Sequence, residues 1–155
     1  MRATAELRRE HAIILGQASV LSGLATSRMT RDVALQSRAQ IMGLDKLLVD
    51  HLSHEDDHLY PALAASEDLH VRSKAEDCFA DMGGILGAWI AYRDQWSNEN
   101  IASTPERFRS ATEGVIGALA IRVEMENRDL YPLMDRLERA PSSSQSNGTP
   151  RRASA

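Results

Sequence analysis

Residues Ile41 to Ala62 read IMGLDKLLVDHLSHEDDHLYPA, and their spacing decides the fold class. Ile41, Leu44, Leu48, His51, Glu55, His58 and Ala62 recur at alternating intervals of three and four, so they share one face of an α-helix packed in a bundle. Three more stripes of the same kind flank it. The first carries Leu7, His11, Ile14, Ala18, Leu21 and Ala25; the third Phe79, Met82, Ile85, Trp89, Tyr92 and Trp96; the fourth Phe108, Thr112, Val115, Leu119, Arg122, Glu126, Leu130, Leu133 and Leu137. Alternation of β-branched residues is absent. Four amphipathic helices predict an all-α, up-and-down antiparallel four-helix bundle.

The punctuation agrees with four helices. Thr30 or Asp32 can cap the second, while Ser103, Thr104, Pro105 and Glu106 give a capping-box spacing with proline in the first turn of the fourth. Pro61 and Pro132 each sit near the end of a stripe, where proline kinks a helix or begins a new turn.

Shifting the chain by 71 residues superimposes its halves without a gap. Ile14-Leu15-Gly16 falls on Ile85-Leu86-Gly87, Glu55 on Glu126, and Leu59-Tyr60-Pro61 on Leu130-Tyr131-Pro132. The bundle therefore reads as a duplicated helical hairpin. The polar residues are echoed only in part, since His11 maps to Met82 and His51 to Arg122.

Composition bounds the rest. With 155 residues, 43% hydrophobic and 26% charged, the chain predicts one globular domain. The segment Pro141 to Ala155 holds no apolar residue larger than alanine, so residues 1–140 are expected to form the domain and 141–155 a mobile Ser/Pro-rich tail. The net charge of −4 gives no case for nucleic acid or anionic membranes. The longest stretch without a charge or strongly polar group, Gly83 to Tyr92, is too short to cross a bilayer. Glu6 and Glu10 argue against a signal peptide, so a cytoplasmic location is expected. Cys78 stands alone, which excludes an internal disulfide and any multi-cysteine metal motif. Phosphate-binding glycine loops and C-x-x-C pairs are also missing.

The informative residues are the polar ones on apolar stripes. His51 and Glu55 leave one helix face a turn apart, as a shared metal ion or a His-carboxylate hydrogen bond requires. His11 faces inward by its spacing, and Glu126 sits where Glu55 does in the other half. A core of Leu, Ile and Ala does not bury two carboxylates without something positive, because each unpaired charge costs several kcal/mol. The candidates are a metal ion, Arg122 or protonated histidine.

These residues resemble the hemerythrin-like (HHE cation-binding) proteins over residues ~5 to 138. The resemblance rests on Glu10-His11, on His51-x-x-x-Glu55 before Leu59-Tyr60-Pro61, and on Glu126 before Leu130-Tyr131-Pro132. It implies a non-haem di-iron centre with a histidine from the first helix, an H-x-x-x-E pair from the second, a histidine from the third and a second His-carboxylate pair from the fourth. Position by position, His11, His51, Glu55 and Glu126 match ligands. Met82 and Arg122 stand where two histidines belong, and arginine cannot ligate iron because its guanidinium stays protonated. His58 is a candidate substitute for a lost ligand.

The expectation is an incomplete site. Arg122 neutralises one carboxylate in place of a metal, leaving at most one iron-type ion, zinc or manganese, or none. The family resemblance implies oxygen, nitric oxide or iron sensing or handling, not enzymatic turnover. A metal-free regulatory bundle with a protein partner is the alternative. A third reading, a histidine phosphotransfer bundle, draws on Ser53-His54-Glu55, similar to the histidine box of sensor kinases.

Overall fold

The computed structural model describes residues 1–140; the expected tail, 141–155, lies outside the described residues. Eight helical segments follow one another: α1 (Thr4–Thr26), α2 (Arg31–His54), α3 (Tyr60–Ala64), α4 (Leu69–Met82), α5 (Ile85–Gln95), α6 (Asn98–Ser103), α7 (Pro105–Met125) and α8 (Tyr131–Arg139). No strand occurs among the described residues. α1 packs against α2 and α7, and α5 packs against the same two helices, which closes a square bundle. α6 bridges α2 and α7, while α3 lies on α4.

The capping residues account for where helices start. Thr30 caps α2 by accepting the Val33 N–H at 3.1 Å, and Asp68 caps α4 through the His70 and Val71 N–H groups. The capping box expected at Ser103 to Glu106 does not form. A short helix, α6, precedes it, and the Thr104 hydroxyl turns back to the Asn100 carbonyl at 2.8 Å, so α7 starts at Pro105 with no side-chain cap.

Two π-helical turns, Glu55–Leu59 and Glu126–Leu130, join α2 to α3 and α7 to α8. They are 71 residues apart, as the duplicated hairpin requires. Each precedes a proline, Pro61 or Pro132, which has no N–H to give the carbonyl four residues back and whose ring crowds it. The helix relieves the conflict by widening one turn, and the Tyr60 and Tyr131 N–H groups bond five residues back to Glu55 and Glu126.

The third helix is broken at Gly83-Gly84, between α4 and α5. The Gly83 N–H closes on the Phe79 carbonyl at 2.7 Å, and a Cβ at Gly83 would sit 2.6 Å from that oxygen, so no larger residue fits. The inward face nevertheless runs on through the break, from Val71, Ala75 and Cys78 by way of Met82 to Ile85, Trp89 and Tyr92. Phe79, expected on the third stripe, is exposed, and Val71, Ala75 and Cys78 face inward instead.

The core falls into two apolar clusters. One packs Ile14, Leu21, Ile41, Leu44, Leu48, Trp89, Tyr92, Phe108 and Leu119; the other packs Leu7, Leu59, Tyr60, Leu63, Ala75, Leu130, Tyr131 and Leu133. Trp89 and Tyr92 satisfy their polar tips by donating to Asp45 and pairing with the Thr112 hydroxyl. Along α1, α2 and α7 the switch between clusters falls at His11, at His51 with Glu55, and at Arg122 with Glu126. A single polar layer is thus sealed between two apolar ones.

Candidate metal centre

Four helical elements bring His11, His51, Glu55 and Glu126 together, all buried, with one ligand atom from each within 4.8 Å of the others. The four donors thus converge on one small buried volume. Each imidazole is held from behind. His51 Nδ1 lies 2.6 Å from Glu10 Oε2, a carboxylate oxygen that only accepts, and His11 Nδ1 lies 2.8 Å from Asn127 Oδ1. With the proton on Nδ1, the His51 Nε2 lone pair turns toward the carboxylates, as a metal-binding histidine requires, while His11 Nε2 lies 3.1 Å from the Tyr131 hydroxyl and 3.3 Å from Glu126 Oε1.

The carboxylates are held by crossed tyrosines. Tyr131 of the second hairpin donates to Glu55 Oε2 at 2.5 Å, and Tyr60 of the first donates to Glu126 Oε2 at 2.9 Å. The π turns produce this arrangement, since five residues separate each glutamate from its own hairpin's tyrosine and an unbroken α-helix would carry that tyrosine around to another face.

Arg122 occupies the other side of the layer and is fully buried. Its Nε donates to Glu126 Oε2 at 3.0 Å, Nη1 to the Met82 carbonyl at 3.2 Å, and Nη2 to Asp56 Oδ1 at 2.8 Å and Glu55 Oε1 at 3.4 Å. The guanidinium also lies over the Tyr60 ring, 5.2 Å from its centroid. At Met82 the backbone carbonyl takes part in the layer where the family places a histidine. Three carboxylates, Glu55, Asp56 and Glu126, face this one guanidinium.

The electrostatics follow from burial and this arrangement. Burial works against a charged Arg122, but Glu126, Tyr60, Glu55 and Asp56 hold its pKa above the ordinary value. Burial pushes Glu55 up, yet the nearby His51, then Arg122 and the Tyr131 hydroxyl, bring it down to about 2. Burial prevails at Glu126, where the like charge of Glu55 adds to it and raises the pKa. His51 is raised as well, because Glu55 and then Glu10 outweigh the burial that opposes its charge. At both groups the surroundings favour the protonated form, which a cation would oppose.

One feature distinguishes a ligand set from a hydrogen-bonded relic. His51 Nε2 and Glu126 Oε1 are buried and have no hydrogen-bond partner among the described residues. His51 Nε2 lies 3.1 Å from Glu55 Oε1, and His11 Nε2 lies 3.3 Å from Glu126 Oε1, but neither pair has the alignment of a hydrogen bond. The atoms crowd together without pointing at one another, which is the geometry of donors aimed at a shared point. An orphaned buried polar atom costs about 1–3 kcal/mol, and a cation removes that cost at both atoms together. A family model, the hemerythrin HHE cation-binding domain, matches residues 2–141. The chain belongs to this family. No curated protein and no solved structure gives a match.

Within this hemerythrin domain, four of the five candidate ligands meet and the fifth does not. His58 is exposed and lies against His54, with ring centroids 4.8 Å apart. The π turn explains the departure: once the turn widens, Leu59 and not His58 continues the inward face. His54, the phosphotransfer candidate, accepts the Arg2 N–H at Nε2 with 3.1 Å, so that nitrogen is engaged. Asp56, which the sequence did not single out, is an Arg122 partner. Tyr60, Tyr131 and Asn127 were not expected in the site. The repeated Glu-to-Tyr interval of five was the available signal for the tyrosines. No helix among the described residues is long and apolar enough to cross a membrane.

Proposed function

We propose that this hemerythrin domain holds one divalent, iron-type ion on His11, His51, Glu55 and Glu126, with Arg122 serving as a fixed charge where the family places a second ion. The orphaned pair His51 Nε2 and Glu126 Oε1 carries this reading. Two imidazoles with carboxylates suit Fe(II) and also accept Zn(II) or Mn(II). When bound, the ion supplies a Lewis-acidic centre open to a small ligand such as oxygen or nitric oxide. The protein's own groups set the terms: Glu10 and Asn127 orient the imidazoles, Tyr60 and Tyr131 fix the carboxylates, and the two apolar clusters exclude water. On this reading the role is sensing or handling of a small ligand and not turnover of an organic substrate.

The measurement is metal content per chain, with an absorption spectrum, on protein purified anaerobically with iron, zinc and manganese supplied. One ion per chain, abolished by His51→Ala, is expected. Two ions with an oxo-bridge absorption would overturn the role given to Arg122, and reconstitution of Arg122→His would then be uninformative. If the single-ion result holds, Arg122→His is expected to take up a second ion.

A second reading is supported by the satisfaction of Arg122, whose contacts neutralise the layer in part without any ion. On it, the domain is a metal-free interaction bundle. No metal uptake, with thermal stability unchanged by chelation, would select it.

A further inference from the structure

The segment before α1 reaches the polar layer from outside. Arg2 Nη1 lies 3.3 Å from each oxygen of Glu10, Nη2 lies 2.5 Å from Asp50 Oδ2, and the Arg2 backbone N–H donates to His54 Nε2. Glu10 in turn accepts from His51 Nδ1. Exposure falls along this path, from 24% at the Arg2 side chain to 15% at Glu10 and 1% at His51. Glu10 is therefore at the rim, where a carboxylate without a second anchor turns out to water and releases the imidazole behind it.

We propose that Arg2 is a positioning residue for His51: by clamping Glu10 between α1 and α2, it keeps the Glu10 carboxylate on His51 Nδ1 and so keeps Nε2 facing the ligand cluster. The inference rests on the metal-site reading for its consequence, but the clamp itself is a property of the chain. Arginine suits the task because its planar fork spans two carboxylates with separate nitrogens, which a lysine ammonium does not reproduce. His11 supplies an internal control. Its Nδ1 partner is Asn127, and the arginine beside that partner is Arg8, which donates to the Asn127 backbone carbonyl. Arg2 has no recorded contact with that group.

The test compares wild type, Arg2→Gln, Arg2→Lys, Glu10→Gln and the Arg2→Gln/Glu10→Gln double variant, all as full chains. Histidine side-chain NMR on metal-free protein reads the exchange of the His51 Nδ1 proton, and Co(II) titration reads affinity. Arg2→Gln is expected to speed exchange at His51 but not at His11, and to weaken Co(II) binding about tenfold, the lower range for losing an outer partner of a ligating histidine. Arg2→Lys is expected to restore part of both, and Arg2→Gln to add nothing in the Glu10→Gln background. Unchanged exchange at His51 in Arg2→Gln would overturn the clamp. So would an equal affinity loss in the Glu10→Gln background. If wild type takes up no Co(II) while Arg2→Gln still releases the His51 proton, the metal-site reading fails and the clamp stands.

Discussion

His51-Glu55 on α2 and Arg122-Glu126 on α7 are the same i,i+4 pair seen twice, 71 residues apart, and they meet the same problem differently. Both bury a glutamate completely. At the first, the residue one turn back presents a lone pair that no protein group fills; at the second, it presents a guanidinium with four hydrogen-bonding contacts. A buried carboxylate requires positive charge nearby, and one position per hairpin decides whether the protein brings that charge itself or recruits it.

The comparison is broken most directly by removing the arginine. Arg122→Met leaves Glu55, Asp56 and Glu126 without their shared cation, and the metal-free protein is expected to lose about 3–5 kcal/mol in urea unfolding. A loss below ~1 kcal/mol would mean that these carboxylates already carry protons and that Arg122 is not their counter-charge.

The tyrosines test the asymmetry. Tyr131→Phe removes the hydroxyl that donates to Glu55 Oε2, whereas Tyr60→Phe leaves Glu126 Oε2 still paired with Arg122 Nε. The first is expected to cost about 2 kcal/mol and the second about 1 kcal/mol in the same assay. Equal losses would show that the guanidinium does not compensate on its own side.

Acidity separates the two members of the first pair. His51 titrates above its ordinary 6.5, so the stability its protonated form gives the metal-free fold is complete below pH 6.5 and is lost as pH rises through the raised value. Metal requires the deprotonated ring. Affinity should therefore rise about tenfold per pH unit for each proton displaced and level off above the raised value, in the range where metal-free stability falls. Glu55 has the opposite sense: its contribution is complete above 4.5 and disappears as pH falls toward about 2. Metal titrations and metal-free melts across pH 5 to 9 read the two His51 slopes, melts from pH 5 down to 2 read that of Glu55, and an affinity and a stability that rise together through the His51 range would contradict the assignment of His51.

The smallest effect is expected at His58. His58→Ala should change stability by less than about 0.5 kcal/mol and leave metal affinity unaltered, since the side chain is exposed. A drop in metal uptake would return it to the ligand set.

The sequence carried most of the bundle because a continuous helix repeats its face. The six positions named on the α1 stripe are all buried, and the same arithmetic placed His11, His51, Glu55 and Glu126 inward and Arg122 beside Glu126. It failed in two places, for different reasons. In α4 the inward register runs through Val71, Ala75 and Cys78, one position off Phe79, and the widened turn after Glu55 carried His58 to solvent while bringing Asp56 onto Arg122. The partners of the site were illegible for a further reason. Tyr131 with Glu55, Asn127 with His11 and Glu10 with His51 are contacts between helices, which no local period encodes.

The crossed tyrosines have a consequence for ancestry. A solitary hairpin of this kind leaves its glutamate without the hydroxyl that holds it, because that hydroxyl belongs to the other hairpin. Two identical hairpins related by a twofold axis would hold each other's glutamates and build a symmetric layer as a homodimer. Within one chain the two copies need not be identical, so one position carries histidine and its counterpart arginine.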